Sequence, residues 1–247
     1  MNQRTGTLYL LPSGLGEDAV HASLPAATLH IAHGLRHVLA EDPKSARAFL
    51  KAIGHPLPLQ DIAIATLDKN TPGAELDELL QPAIDGHDLA VVSEAGCPGV
   101  ADPGGAIVAL AHMRGVRVVP LVGPSAILLA LMASGFNGQR FSFHGYLPID
   151  AAERMKCVRQ LENESRRQDM TQIFIETPYR NDVLLKTLIE LCAPATRLCV
   201  AANLQCPDES VRSDSVIGWR RGYEAIGKRP AVFLLLAAEN PRGRTAR

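Results

Sequence analysis

The chain has 247 residues, 47% of them hydrophobic, and a formal net charge of −1 at pH 7. That is enough apolar material for one large or two small domains, and it excludes a uniformly basic nucleic-acid binder. No uninterrupted apolar run approaches the roughly 20 residues that span a bilayer, and residues 1–6 lack the apolar segment of a signal peptide, so a cytoplasmic protein is expected.

Residues 7–11 read as a short apolar strand running into Pro12-Ser13-Gly14-Leu15-Gly16. Glycine there lets the backbone approach a ligand because no Cβ collides with it. Gly14-x-Gly16 is also a fragment of the dinucleotide fingerprint, with alanine at position 19, and a plain turn is the competing reading. Residues 24–40 read as a short helix followed by a strand at 37–40. Glu41-Asp42-Pro43 stops that strand, and residues 44–53 have helical periodicity, with Pro43 suited to a first helical position and Gly54 closing the helix. Residues 61–66 alternate like a strand. Thr71-Pro72 is expected to cap a helix carrying Leu76, Leu79, Leu80 and Ile84, which ends at Gly86.

Residues 89–126 contain the pattern around which the rest is organised. Apolar runs at 89–92 and 116–122 bracket a third at 106–111, the mark of a βαβ unit with covered parallel strands. Ligands bind at the carboxyl ends of such strands. The loop Ser93-Glu94-Ala95-Gly96-Cys97-Pro98-Gly99-Val100-Ala101-Asp102 follows the first strand, and Asp102-Pro103 reads as N-cap and first residue of the next helix. Gly123-Pro124-Ser125-Ala126 follows the second strand. Ser125 does not sit in a hydrolase elbow, because Ile127 stands where G-x-S-x-G needs glycine.

Residues 124–134 are apolar almost all round, which predicts a helix buried between layers. Gly135 to Gly138 then breaks the chain, and the domain boundary is expected there, giving domains 1–138 and 139–247. The second half opens with a strand at 140–143 and an amphipathic helix from Ala151, with Met155, Val158 and Leu161 as its apolar stripe. Arg154, Lys156, Arg159, Arg166 and Arg167 make this region basic, either as a solvated face or as a phosphate-contacting ridge. Strands follow at 172–175, 197–201 and 231–236, with a helix over Val183, Leu184, Thr187, Leu188 and Leu191 between the first two. Glu176, Tyr179 and Arg180 lie in a loop that could face a cleft. Residues 240–247 read as a basic tail. The five cysteines form no C-x-x-C pair, so neither a disulfide framework nor a zinc site is indicated.

SEAGCPGVADPG (93–104), VPLVGPSA (119–126), FHGYLP (143–148) and FIETPYR (174–180) together resemble the tetrapyrrole-methylase-like class of S-adenosylmethionine-dependent methyltransferases. Within it, the chain is most similar to the branch that methylates the ribose 2′-oxygen of a cytidine in small-subunit ribosomal RNA, over residues 7–236. The resemblance implies two α/β domains with S-adenosylmethionine in the interdomain cleft, a homodimer, no metal, and a fold distinct from the Rossmann methyltransferases. It assigns cofactor contacts to Pro12, Gly14, Leu15, Ser93, Gly96, Cys97, Val100, Ser125 and Ala126. From the second domain it adds Glu176, Thr177, Asn203, Leu204, Pro230 and Ala231. The branch's T-P-I-G-N is here Leu11-Pro12-Ser13-Gly14-Leu15, its E-D-T-R is Glu41-Asp42-Pro43-Lys44, and its helical C-terminal extension is expected to be missing.

Methyl transfer to a ribose hydroxyl needs a proton acceptor. Glu94 is the favoured candidate, with Asp102 and Glu176 as alternatives. Arg180 suits a phosphate or substrate carboxylate, or else an interdomain ion pair. Ribosomal RNA is the expected substrate. A small-molecule acceptor such as a tetrapyrrole, and a cofactor-binding protein without catalysis, are the alternatives.

Overall fold

The computed structural model describes residues 5–16 and 23–237. Most of the N-terminal stretch read for a signal peptide, fingerprint position 19 and the tail at 240–247 lie outside them. The chain divides into two units, Met1–Ser125 and Ala126–Arg247.

The first unit alternates strands and helices: β1 (Thr7–Leu11), α1 (Ala26–Ala32), β2 (His37–Ala40), α2 (Pro43–Ala52), β3 (Ala63–Thr66), α3 (Gly73–Ile84), β4 (Leu89–Val92), α4 (Gly105–Met113) and β5 (Arg117–Pro120). The strands pair in the order β3-β2-β4-β1-β5, all parallel. Every residue of β4 is buried. Its alternate side chains serve different clusters: Ala90 and Val92 pack with Leu11, Val38, Phe49 and Leu50, while Leu89 and Val91 pack with Leu8, Leu39, Leu80 and Ile107. A strand covered on both faces must be apolar throughout, which is why the run 89–92 shows no alternation.

Helix starts follow local chemistry, and two differ from the sequence expectation. Asp42 caps α2, accepting from the amides of Lys44 (2.9 Å) and Ser45 (3.2 Å). Thr71 does not cap α3; its Oγ1 turns back to accept from the Asp68 amide at 2.9 Å, closing the preceding turn, and Pro72 holds the cap position without a side-chain bond. Asp102 does not cap α4 either. The loop takes an extra turn, closed by the Gly99 amide on the Pro103 carbonyl at 3.2 Å, so the helix starts at Gly105 with Gly104 (φ 140°) before it.

The second unit contains α5 (Ala126–Ser134), β6 (Phe141–Tyr146), α6 (Ala151–Gln168), β7 (Thr171–Ile175), α7 (Asn181–Leu191), β8 (Arg197–Ala202), β9 (Ser210–Ser215), α8 (Val216–Trp219) and β10 (Ala231–Leu236). Its sheet runs β6-β7-β10-β8-β9, with β6 and β7 parallel and the other pairs antiparallel. The chain therefore divides after Ser125 rather than at 138, because α5 packs on β8, β9 and β10. Ser213 Oγ donates to the Ser134 carbonyl at 2.8 Å, and Arg197 donates to the Gly135 carbonyl at 3.2 Å. Nor is α5 buried all round: Ala130, Leu131 and Ser134 face inward, while Leu128 and Met132 are exposed.

β9 has no apolar alternation, and its sequence Ser-Val-Arg-Ser-Asp-Ser gave no strand signal; only the backbone ladder to β8 makes it a strand. On α6, Met155 is exposed, and the inner face is Arg154, Val158, Leu161, Glu162 and Ser165. Of its buried polar members, Glu162 accepts from the Ala193 amide (2.7 Å) and Thr196 Oγ1 (2.5 Å), and Ser165 Oγ accepts from the Ala237 amide (2.9 Å). Among the described residues, no helix is long and apolar enough to cross a membrane.

Candidate functional site

Parallel pairing brings the carboxyl ends of the first sheet to one edge. Leu11 and Ala40 both lie opposite Val92, Leu10 opposite Pro120, and Ala40 opposite Thr66. The loops after β1, β2, β4 and β5 therefore gather at one place. Hydrogen bonds tie them together: the Ser13 amide donates to the Gly96 carbonyl (3.0 Å), Ser93 Oγ donates to the same carbonyl (2.6 Å), and Cys97 Sγ donates to the Pro124 carbonyl (3.3 Å). Burial pushes the Cys97 thiol up from its ordinary pKa, so it stays the neutral donor this bond requires.

Two glycines make the loops compatible. Gly96 has φ +76°, with Leu15 and the Pro124 carbonyl each 3.3 Å from where a Cβ would sit. At Gly123 a Cβ would lie 2.4 Å from Pro12. Both positions need a residue without a side chain, for conformation at the first and close approach at the second. Pro12, Gly14, Leu15, Ser93, Gly96, Cys97, Val100 and Ser125 thus belong to one cross-braced group of loops in the first unit, whereas Ala126 is the first residue of the second.

Three carboxylates stand at this edge. Glu41, Glu94 and Asp102 line a pit of about 10 Å³ over the ends of β2 and β4, with room for about one water molecule. Burial, then the neighbouring charges of Glu41 and Glu94, push the Asp102 carboxyl up to about 6. Because Asp102 is not a helix cap, capping does not account for its presence here. Glu94 is exposed and also lines a second, larger cleft with Ser13. No group of three or more His, Cys, Asp and Glu side chains among the described residues is arranged to hold a metal ion.

In the second unit, Val232 lies opposite Ile175 and Ala231 opposite Ala202, so the residues just beyond β7 and β8 and just before β10 share one sheet edge. Glu176, Thr177, Asn203, Pro230 and Ala231 gather there, with Leu204 buried behind them. Asn203 takes a left-handed φ of 49°; its amide donates to the Pro230 carbonyl at 2.9 Å and its Nδ2 to Asp208 at 2.7 Å. Glu176 Oε1 accepts from the Thr177 amide (2.6 Å) and from Arg180 Nε (3.0 Å) and Nη2 (2.5 Å). Arg180 is therefore engaged with a carboxylate of its own unit four residues earlier. The pair holds one Glu176 oxygen fixed and leaves Oε2 buried with no described hydrogen-bond partner, as is Asn181 Oδ1 nearby in the chain. Sequence reasoning passed over Asn181 and Ser13; the only signal was that each adjoins a residue already singled out.

The basic residues of α6, read as either a solvated face or a phosphate-contacting ridge, do not share one environment. Arg154 is buried and donates to the Ile149 carbonyl at 2.8 Å, and Arg166 bonds Asn163 at 3.2 Å, leaving Lys156, Arg159 and Arg167 exposed.

No family model matches the chain. Its fold is similar to that of the methyltransferase CobJ, with a TM-score of 0.62 at 19% identity over 95% of both chains. It is also similar to uroporphyrin-III-C-methyltransferase from Thermus thermophilus, with a TM-score of 0.53 at 20% identity over 94% of this chain and 92% of that one. A parallel α/β unit followed by a mixed one, each with its loops gathered at a sheet edge, is thus the tetrapyrrole methylase type of fold.

By sequence, the chain is 30% identical to ribosomal RNA small subunit methyltransferase I of Escherichia coli O157:H7 over 93% of this chain and 77% of that one. Identity to the protein of that name from Pseudomonas aeruginosa is 29% over 98% and 90%. With the one from Xylella fastidiosa it is 33% over 71% of this chain, a match spanning 60% of that relative. The chain belongs to the ribosomal RNA small subunit methyltransferase I family; it is a methyltransferase whose cofactor is S-adenosylmethionine.

Proposed function

We propose that the protein transfers a methyl group to a ribose 2′-oxygen of small-subunit ribosomal RNA, in the cytoplasm and as a homodimer. Family membership carries this reading. The residues present fit the cofactor on structural grounds: two glycines whose Cβ atoms would crowd the first unit's loops, and buried Glu176 Oε2 and Asn181 Oδ1 acceptors without described donors. Pro12, Gly14, Leu15, Ser93, Gly96, Cys97, Val100, Ser125 and Ala126 would hold it from one side of the sequence, and Glu176, Thr177, Asn203, Leu204, Pro230 and Ala231 from the other.

When bound, S-adenosylmethionine supplies the electrophilic methyl, its sulfur keeping the electron pair of the broken C–S bond as the oxygen–carbon bond forms. The protein's part is orientation, water exclusion and removal of one proton. Glu94, exposed at the lip of the larger cleft, accepts the proton of the attacking hydroxyl. Asp102 shares the adjoining pit with Glu94 and has an acidity near neutrality, so it is placed to take that proton onward. Arg180 acts by fixing Glu176, a positioning role within one unit that differs from both sequence readings, a direct substrate contact and an interdomain ion pair.

The test is transfer of label from S-adenosylmethionine to small ribosomal subunits lacking this methylation, with the modified nucleotide mapped. Labelled 2′-O-methylribose supports the reading. A protein that leaves RNA unlabelled but methylates a small molecule refutes it.

A further inference from the structure

The cleft beside the carboxylate pit lies wholly within the first unit and has a volume of about 380 Å³, in the range of small-molecule sites. One wall is the β1 loop from Ser13 to Gly16, another is Glu94-Ala95, and the third is α2. Ala48 and Ala52, one turn apart, point the same way and are exposed, with Phe49 beside them. Their small side chains leave the space open.

Two features restrict what fits. Ser13 is 4% exposed and its Oγ has no described hydrogen-bond partner, although its amide is fixed on the Gly96 carbonyl. A buried hydroxyl left unpaired is disfavoured, so a ligand hydroxyl reaching it would gain affinity. Among the described lining residues the only charged one is Glu94, and none is Lys or Arg. An anionic ligand rich in carboxylates, as a tetrapyrrole is, would be repelled there. A ligand with a flat, neutral, partly apolar portion and hydroxyls at one end is complementary to both walls.

We propose that this cleft is the acceptor subsite and takes one unstacked ribonucleoside of single-stranded RNA, its ribose hydroxyls on Ser13 and Glu94 and its base against Ala48, Phe49 and Ala52. Unstacked bases of single-stranded RNA are recognised in this way, the base face laid on an apolar or aromatic wall and the 2′-hydroxyl hydrogen-bonded. Ser13 stands where the resembling branch carries isoleucine, so this hydroxyl contact is a property of this chain's own first loop. The inference rests on RNA being the acceptor, and its test is separable from that reading.

Equilibrium binding is measured for a short single-stranded oligoribonucleotide, its 2′-deoxy counterpart and S-adenosylmethionine. The wild-type protein should prefer the ribo strand by about fivefold or more, and Ser13→Ala should reduce that preference by up to about fivefold, the worth of one hydrogen bond, the remainder being carried by Glu94. Ala52→Trp, on an exposed helix face, should weaken ribo-strand binding by about tenfold or more at unchanged affinity for S-adenosylmethionine. Equal or absent binding of the two strands by the wild type, or a preference that Ser13→Ala leaves unchanged, overturns the subsite. So does loss of S-adenosylmethionine affinity in a folded Ala52→Trp, which would assign the cleft to the cofactor. Methyl transfer to ribosomal subunits without any ribose preference refutes the subsite alone. Transfer only to a small molecule, with no RNA binding, refutes the functional reading as well.

Discussion

Replacing Asp102 by asparagine should stabilise the protein at neutral pH, against the usual direction for a polar residue in a loop. The carboxyl titrates at about 6 in the folded state against an ordinary 3.8, because it is half-buried and faces Glu41 and Glu94. A folded pKa above the unfolded one means that the carboxyl's favourable contribution is complete below about pH 3.8 and is lost as pH rises through about 6. Two decades of shift correspond to about 3 kcal/mol at 1.36 kcal/mol each. The group is nearly half solvated, and screening reduces this to about 1 kcal/mol. Asparagine keeps the shape without the charge, so urea denaturation at pH 8 should show the variant more stable by about 1 kcal/mol, or by a few degrees in melting temperature. At pH 5 the wild-type carboxyl is mostly protonated when folded, and about half of that difference should remain. A variant less stable than wild type at both pH values, or a gain that does not shrink on acidification, would refute the account of three crowded carboxylates.

Glu94→Gln should lower kcat by about a hundredfold while leaving the Kd for S-adenosylmethionine unchanged, measured by single-turnover label transfer and calorimetry; an unaltered kcat removes Glu94 as proton acceptor. Arg180→Ala strands Glu176, whose side chain is 1% exposed, and should cost about 3 kcal/mol of stability together with affinity for S-adenosylmethionine. Full affinity in that variant would show that Glu176 needs no positioning. Gly123→Ala places a Cβ 2.4 Å from Pro12 and should weaken S-adenosylmethionine binding by about tenfold or more, since the loops must part to admit it. An unchanged Kd would mean that the β1 and β5 loops do not act together.

What the sequence revealed and what it hid divide along physical lines. A strand covered on both faces must be apolar at every position, so β4 was legible, and the parallel βαβ unit it opens sets the loops after β4 and β5 at one end of the sheet, whereas the full strand order depends on pairings the sequence does not carry. β9 was hidden because an edge strand needs only backbone partners, and its side chains carry no pattern. The boundary was misplaced because glycines at 135 and 138 mark a turn whatever lies on either side. Only tertiary contact reveals that α5 packs on the second sheet. Its exposed residues Leu128 and Met132 show that composition alone cannot tell a helix buried all round from one with an exposed apolar side.

The site shows the same limit at the scale of single residues. Asp-Pro before a helical run is a common capping signal, and it ranked Asp102 below Glu94 as a proton acceptor, because whether a helix starts two residues later depends on the turn closed by Gly99. Arg180 looked available for an anion because sequence does not show that Glu176, four residues earlier, already holds it. Ser13 looked like an ordinary turn residue, since nothing in a sequence distinguishes a hydroxyl that is satisfied from one that is buried and unpaired. In the proposed site the family's motifs would hold the cofactor, while selection of an acceptor would rest on Ser13, Glu94 and Asp102, side chains whose surroundings are set by neighbours distant in the chain or by a local turn. Substrate choice in this chain should therefore respond more to changes at Ser13, Glu94 and Asp102 than to changes in the glycine-rich loops beside them.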